Sequence, residues 1–390
     1  MKLVQSPHLI IYKNKLINKL TGFSVKVSPD VVYLVNLFKT PVSLSDILNV
    51  VEADNLELIV RNLIEEGFIE EIPKNYSKEA MSAKYLMDPR SGTLFCSNQG
   101  NLIVDDNESG KTIIGFFGVG YDNGSAFFSG SRAAPDAIRD FSKQIGFLNS
   151  APNGLTLGYY DPIEHSQKLK GQIIRDYGNL SLTNNQLLNI DRIEKLSRFI
   201  YTCTNIKPIF IGGDHSITYT IVKGLINAYE SLQIVQLDAH SDLGYTRWET
   251  VEHGSFMREL LKEEKIENII QVGIRGPQNN NIKEGKVTYL SLNQLNNLKS
   301  IIREDIPTFI TVDCDVFDPS IFPGVAYPIP NGLDYEKYKN IINCLPKQIV
   351  GIDFVEFCPN LDMSNLSVST ISYAILEILS VWEDRDGSIY

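Results

Sequence analysis

Six runs of apolar residues that do not alternate with polar ones decide what this chain can fold into. They are IIGFFGVG (113–120), PIFIGG (208–213), LQIVQLDAH (232–240), NIIQVGI (268–274), PTFITVDCD (307–315) and QIVGIDFVEF (348–357). A strand with one wet face alternates, whereas a strand covered on both faces does not. Helical stretches, for example 192–204 and 217–229, lie between the runs. The pattern predicts a parallel sheet with helices on both sides, a three-layer α/β/α sandwich. In such folds the functional site lies just beyond the carboxyl ends of the strands.

Polar segments sit at those ends. Gly212-Gly213-Asp214-His215-Ser216 follows PIFI, Asp238-Ala239-His240-Ser241-Asp242 follows IVQL, and Asp313-Cys314-Asp315-Val316-Phe317-Asp318-Pro319 follows TFITV. In extended geometry residues i, i+2 and i+4 face one side. On that reading Asp238, His240 and Asp242 converge, and Asp313 and Asp315 do the same from another strand. With His215 the set is four carboxylates and two imidazoles. Alone, each segment has an ordinary reading as a turn, a cap or a solvated edge. Together, clustered carboxylates repel one another and are costly to desolvate unless cations offset their charge. A carboxylate-rich set with few imidazoles and no thiolate favours two hard divalent ions such as Mn²⁺, with Ni²⁺, Co²⁺ and Fe²⁺ compatible on geometry.

The segments GGDHS, DAHSD and DCDVFDP resemble those of the ureohydrolases: arginases, agmatinases, formiminoglutamases and guanidine hydrolases. The resemblance runs in order over about residues 110–385 and takes in GSRAAPDAIRDFS (130–142), Val272-Gly273-Ile274-Arg275, the loop Pro323–Pro330 and DFVEFCP (353–359). It implies His215 as ligand of a first metal and His240 of a second. Asp238, Asp242, Asp313 and Asp315 would each bind one metal or bridge both. Asp214 and Asp318 would orient ligands and loops.

The chemistry implied is hydrolysis of a guanidinium group. Its carbon is a poor electrophile, and two metals sharing a water lower the pKa of that water and supply hydroxide at neutral pH. Asp242 would accept a hydrogen bond from this nucleophile and shuttle its proton. His253, in Glu252-His253-Gly254-Ser255, would be the acid that protonates the leaving amine; its ordinary reading is a surface loop histidine. Glu356 would pair with the guanidinium N–H groups; its ordinary reading is a strand-end carboxylate. Two departures bear on the substrate. The family often has proline in the segment after the His-Gly, where this chain has Ser255-Phe256-Met257, and LGYTRWETVE (243–252) differs from the loop with which free-arginine enzymes hold an α-carboxylate. Arg247 and Trp248 do not evidently do that work, and Trp248 reads equally as pocket lining or loop anchor.

Residues 1–75 read as a separate small domain, 76–110 as a linker and 111–390 as the catalytic domain. LIIY (9–12) and FSVKV (23–27) are expected strands. Helices are expected from Ser28-Pro29-Asp30, after Pro41-Val42-Ser43 with Ser43 as N-cap, and over roughly 55–66. Gly67 and the strand FIEEI follow, a winged-helix pattern. Eight Lys/Arg against nine Asp/Glu give this part a charge of −1, and its third helix and wing are acidic, which speaks against nucleic acid. One reading is a packing or oligomerisation extension. Another comes from resemblance. LIIYKNKLI, SPDVVYLVNLF, SLSDILNVV and LIVRNLIEEGFIEE resemble PqqD-like peptide-recognition domains, which implies a leader peptide added as a strand to the sheet edge. Together the resemblances imply a peptide arginase, converting arginine to ornithine in a ribosomally made precursor peptide. A small-molecule ureohydrolase for agmatine, guanidine or a guanidino acid is the alternative in the same class; a non-catalytic peptide-binding scaffold is the alternative outside it. Family members are often trimers or hexamers, so a homo-oligomer is expected by analogy.

The formal charge of −11 over 390 residues disfavours non-specific nucleic-acid binding and mildly suits a cationic substrate. The five cysteines (Cys96, Cys203, Cys314, Cys344, Cys358) form no CxxC pair. No apolar run approaches the ~20 residues of a membrane span, and MKLVQSPHLIIYKNK lacks a signal-peptide pattern. A reducing, cytoplasmic setting is expected.

Overall fold

The computed structural model describes residues 2–6, 9–18, 21–39, 42–51, 55–72, 86–89, 92–102, 112–125, 128–146, 148–151, 154–246, 250–277 and 285–385. The chain divides into two compact units, Met1–Met81 and Ser82–Tyr390.

In the first unit the elements are β1 (Lys2–Gln5), β2 (Leu9–Tyr12), β3 (Lys15–Asn18), β4 (Ser24–Lys26), α1 (Pro29–Leu37), β5 (Val42–Ser43), α2 (Leu44–Leu48), α3 (Leu56–Glu65) and β6 (Ile69–Ile72). β5-β1-β6 form one antiparallel sheet and β2-β3-β4 another. Ser28 caps α1 by accepting the N–H of Val31, and Ser43 caps α2 by accepting that of Asp46. Leu56, Val60 and Leu63 are the buried stripe of α3; they pack with Leu3, Leu16, Val35, Phe38 and Phe68. Gly67, at φ +68°, supplies the left-handed residue that ends α3. The segments KLVQ and KLIN were not expected as strands. Four residues of mixed character carry little periodic signal, and pairing with β6 and β2 makes them strands.

The second unit carries β7 (Leu86–Met87), β8 (Asn98–Gln99), β9 (Ile113–Gly118), α4 (Ala134–Ser142), β10 (Tyr159–Asp161), β11 (Ser166–Lys168), β12 (Ile174–Leu180), α5 (Gln186–Cys203) and β13 (Ile206–Ile211). It continues with α6 (Ser216–Leu225), β14 (Leu232–Leu237), α7 (Phe256–Leu260), β15 (Ile266–Val272), β16 (Val287–Leu290), α8 (Leu298–Ile301), β17 (Thr308–Asp313), α9 (Tyr335–Cys344), β18 (Ile349–Val355) and α10 (Leu366–Arg385). Ten strands form one sheet in the order β16-β15-β14-β17-β18-β13-β9-β12-β7, with β8 also on β12. All its pairings are parallel except β7 with β12. β9, β14 and β17 are buried at every position, as unalternating apolar runs require.

The described part of 76–110 is not a simple linker. Leu86–Met87 joins the large sheet, and Leu94 and Phe95 lie fully buried in its core. The Leu94 N–H donates to Asp176 Oδ2 at 2.8 Å, and the same carboxylate takes Arg139 Nε at 2.8 Å. The segment reads as polar in sequence because its ends are polar, while Leu94, Phe95 and Leu102 between them are buried.

No helix among the described residues is long and apolar enough to cross a membrane.

Candidate metal centre and active site

Sheet order explains why distant segments meet. β14, β17, β18 and β13 are consecutive neighbours and run parallel, so their carboxyl ends emerge side by side. Asp238 follows β14, Asp313 ends β17, Glu356 follows β18, and Asp214 and His215 follow β13. After β13 the chain turns through Gly212 and Gly213, at φ +86° and +91°. A Cβ on Gly213 would lie 2.7 Å from the carbonyl oxygens of Val119 and Tyr121, so only glycine fits. That turn delivers His215 to the head of α6.

The six side chains expected from the sequence come together, by a different route from the one expected. Residues 238–242 are not an extended strand: β14 stops at Leu237 and Asp242 is left-handed, at φ +50°. The bend sends Asp238 and Asp242 to one cluster with His215 and Asp313, while His240 meets Asp315 and shares Asp238 in a second. Asp313 and Asp315 likewise part, because one 3-10 turn (Cys314–Val316) starts directly after Asp313.

The first cluster poses a charge problem. His215 Nδ1 lies 3.1 Å from Asp238 Oδ2, 3.0 Å from Asp242 Oδ2 and 3.1 Å from Asp313 Oδ2, and forms no well-made hydrogen bond to any of them. Nε2 pairs with Thr311 Oγ1 at 2.9 Å. With a proton on Nε2, Nδ1 presents a lone pair to three carboxylate oxygens, an arrangement that a cation relieves. Donor atoms about 2.1 Å from one ion and at right angles are about 3 Å apart, which is the spacing observed. Burial, and then Asp315, pushes the Asp313 and Asp238 carboxyls up; burial and Asp238 do the same to Asp242. Burial opposes a charged His215, but the three carboxylates outweigh it and raise its pKa.

In the second cluster His240 Nδ1 is 2.7 Å from Asp315 Oδ2 and 3.8 Å from Asp238 Oδ1. Asp315 Oδ1 also accepts the Ala239 N–H at 3.0 Å, and Gln236 Nε2 donates to Asp238 Oδ2 at 2.6 Å. Burial works against the charged His240 ring, yet Asp315 lifts it to about 9. Oxygen-rich, thiolate-free and close-set, the donors fit two divalent ions.

Around the clusters, backbone and side chains hold the frame. Asp214 accepts the N–H of Gly124 at 2.6 Å and of Ser216 at 3.0 Å, tying two loops together. Asp318 accepts the N–H of Ser320 and of Gly332, each at 3.0 Å; the Ser320 hydroxyl first, and then these bonds, hold its carboxyl down at about 2. Arg275 Nη2 donates to the carbonyls of Asp315 at 2.6 Å and Ile329 at 2.8 Å, joining the second cluster to the Pro323–Pro330 loop.

A cavity of about 330 Å³ opens over both clusters. Glu356, left-handed at φ +64°, sits in its wall with His253. Tyr245, Glu252 and Tyr327 line it as well; none was singled out from the sequence. They arrive from irregular loops, and only Glu252, adjoining His253 in the chain, had a local signal to find it by. Ser255 donates its N–H to the Glu252 carbonyl at 3.1 Å, and its Oγ accepts the Glu252 N–H at 3.2 Å. Arg247 and Trp248 lie outside the described residues.

The arginase-family model matches residues 112–380. The chain is 28% identical to an agmatinase of Chromobacterium violaceum over 69% of this chain and 83% of that one. It is 29% identical to mitochondrial arginase 1 of Arabidopsis thaliana over 65% and 75%. Among solved structures, proclavaminate amidino hydrolase from Streptomyces clavuligerus superposes with a TM-score of 0.62 at 24% identity, over 76% of this chain and 98% of that chain. The chain belongs to the arginase family of metal-dependent amidino hydrolases.

Proposed function

We propose that the chain hydrolyses the guanidinium of arginine side chains within a precursor peptide, releasing urea and leaving ornithine. For the reaction, the supporting observation is the Glu356–His253 pair set in the cavity wall beside the two carboxylate clusters. For the peptide substrate, the support is the small N-terminal unit and its resemblance to peptide-recognition domains.

His215, Asp238, Asp242 and Asp313 would hold one ion, and Asp238, His240 and Asp315 the other. When bound, two such ions, Mn²⁺ first among the candidates, supply a nucleophile from water at neutral pH. Asp242 receives the proton that the water loses. Glu356 uses Oε1 to fix His253, which leaves Oε2 to accept guanidinium N–H groups and set the carbon in line for attack. His253, held at Nδ1, delivers a proton from Nε2 to the leaving side-chain nitrogen, so the amine departs neutral and the C–N bond breaks. The leader, added as a strand to a sheet edge of the N-terminal unit, would raise the effective concentration of the arginines at the cavity.

A small guanidino compound is the second reading; the relatives' names, agmatinase and arginase, favour it. Urea release by the full chain with Mn²⁺ decides between them, with an arginine-bearing precursor compared against the same core peptide lacking its leader, agmatine and free arginine. Faster conversion of the leader-bearing peptide, read by mass spectrometry as ornithine, is expected. Turnover of agmatine or arginine with none of the peptide overturns the peptide reading.

A further inference from the structure

We infer that Glu252, which lines the cavity together with Tyr245 and Tyr327, receives the substrate's tail and selects guanidino compounds whose tail offers an N–H donor, amide or ammonium, over those ending in a carboxylate. The inference rests on the amidino hydrolase reading of the cavity.

Glu252 lines the cavity, with its Oε1 buried and, among the described residues, without a hydrogen-bond partner. A carboxylate in a cavity wall draws N–H donors, ammonium above all, and repels a second carboxylate. Sites built this way reject analogues that leave their polar group unpaired. The chain at Glu252 is also held rather than loose. Its backbone is clamped by the two hydrogen bonds to Ser255 and by the His253 N–H, which donates to the Gly124 carbonyl at 3.2 Å.

The walls suit a methylene chain. Tyr245 is 72% exposed, and the Arg258 guanidinium packs 4.2 Å from its ring centroid. Arg258 is itself committed through Nε to the carbonyls of Leu243 and Gly244, at 2.7 and 3.0 Å, and does not line the cavity. Tyr327 faces His253 with ring centroids 6.0 Å apart. Among the described lining residues there is no Lys or Arg. Two divalent ions offset the four aspartates, and Glu252 and Glu356 then outweigh the one charge of His253. A tail carboxylate meets like charge, while an amide or ammonium meets an acceptor.

The test compares N-acetyl-arginine N-methylamide, agmatine and N-acetyl-arginine with the Mn²⁺-loaded full chain, by urea release and by calorimetric binding. For the wild type, kcat/KM is expected to favour the amide and agmatine over the carboxylate about tenfold or more. Glu252→Gln should shrink that ratio severalfold, chiefly through KM. A flat ratio in the wild type overturns the inference without any variant, as does a Glu252→Gln ratio equal to that of the wild type. No urea from any compound, with the binding preference intact, overturns the hydrolase reading and supports the tail site. Urea release without preference overturns the tail site alone.

Discussion

His253 Nδ1 lies 3.2 Å from Glu356 Oε1, and that same oxygen accepts the backbone N–H of His215 at 2.9 Å. One carboxylate oxygen thus ties the proposed acid to the residue that heads the first cluster. Burial opposes a charged His253, but Glu356 prevails and holds the ring at about 9. A raised pKa keeps the group protonated below it, so the acid form persists through neutral pH and is lost as pH rises through about 9. The expected kcat/KM profile falls on its alkaline side near that pH. In Glu356→Gln the residual activity should be far lower and its alkaline limb displaced toward neutrality; a limb that stays in place removes Glu356 as the cause.

Asp242→Asn should fold and lose most of its activity, by about two orders of magnitude or more, because a neutral amide takes up no proton from the attacking water. Circular dichroism checks the fold and urea release the rate. Near-native turnover would refute the role given to Asp242.

Chelation should abolish urea release and lower the melting temperature together, and Mn²⁺ should restore both. An ion at a hundred times its Kd adds about 2.7 kcal/mol to a fold that alone binds it. His215→Asn should reduce the bound metal, measured by elemental analysis, from two ions per chain toward one.

Arg139 and Asp176 form a fully buried ion pair, Nε to Oδ2 at 2.8 Å, between α4 and β12. Removing one partner strands the other charge. Arg139→Ala is expected to cost about 3–5 kcal/mol in urea-induced unfolding, with the loss carried by stability rather than by the chemistry of the site.

Ser255→Ala should cost about 1 kcal/mol, the worth of a net hydrogen bond. Ser255→Pro should cost more, since Ser255 sits at φ −129°, outside the range of proline, and its N–H is used. Both are read by thermal unfolding.

The large sheet was legible because burial on two faces writes itself as uninterrupted apolar runs, and each of those runs contains a strand. The six clustered side chains were legible because they follow such runs. Their division into two clusters was not, since it depends on a left-handed Asp242 and on a helical turn after Asp313, conformations that short polar segments do not announce. Tyr245 and Tyr327 were missed for a related reason: loop residues reach the cavity through the path of the backbone, and no periodicity records that path. β1 and β3 escaped because four-residue strands become strands only through their partners.

Three of the middle strands of the large sheet, β13, β14 and β17, lead to the donors, and their rungs are fixed, with Leu237 beside Val312 and Asp313 beside Val355 of β18. Any slippage between those rungs scatters the donors, so a bound pair of ions would act as a lock on strand alignment. Metal loss would then loosen the sheet's centre, and the working lifetime of the catalyst would follow how long its innermost strands hold their places.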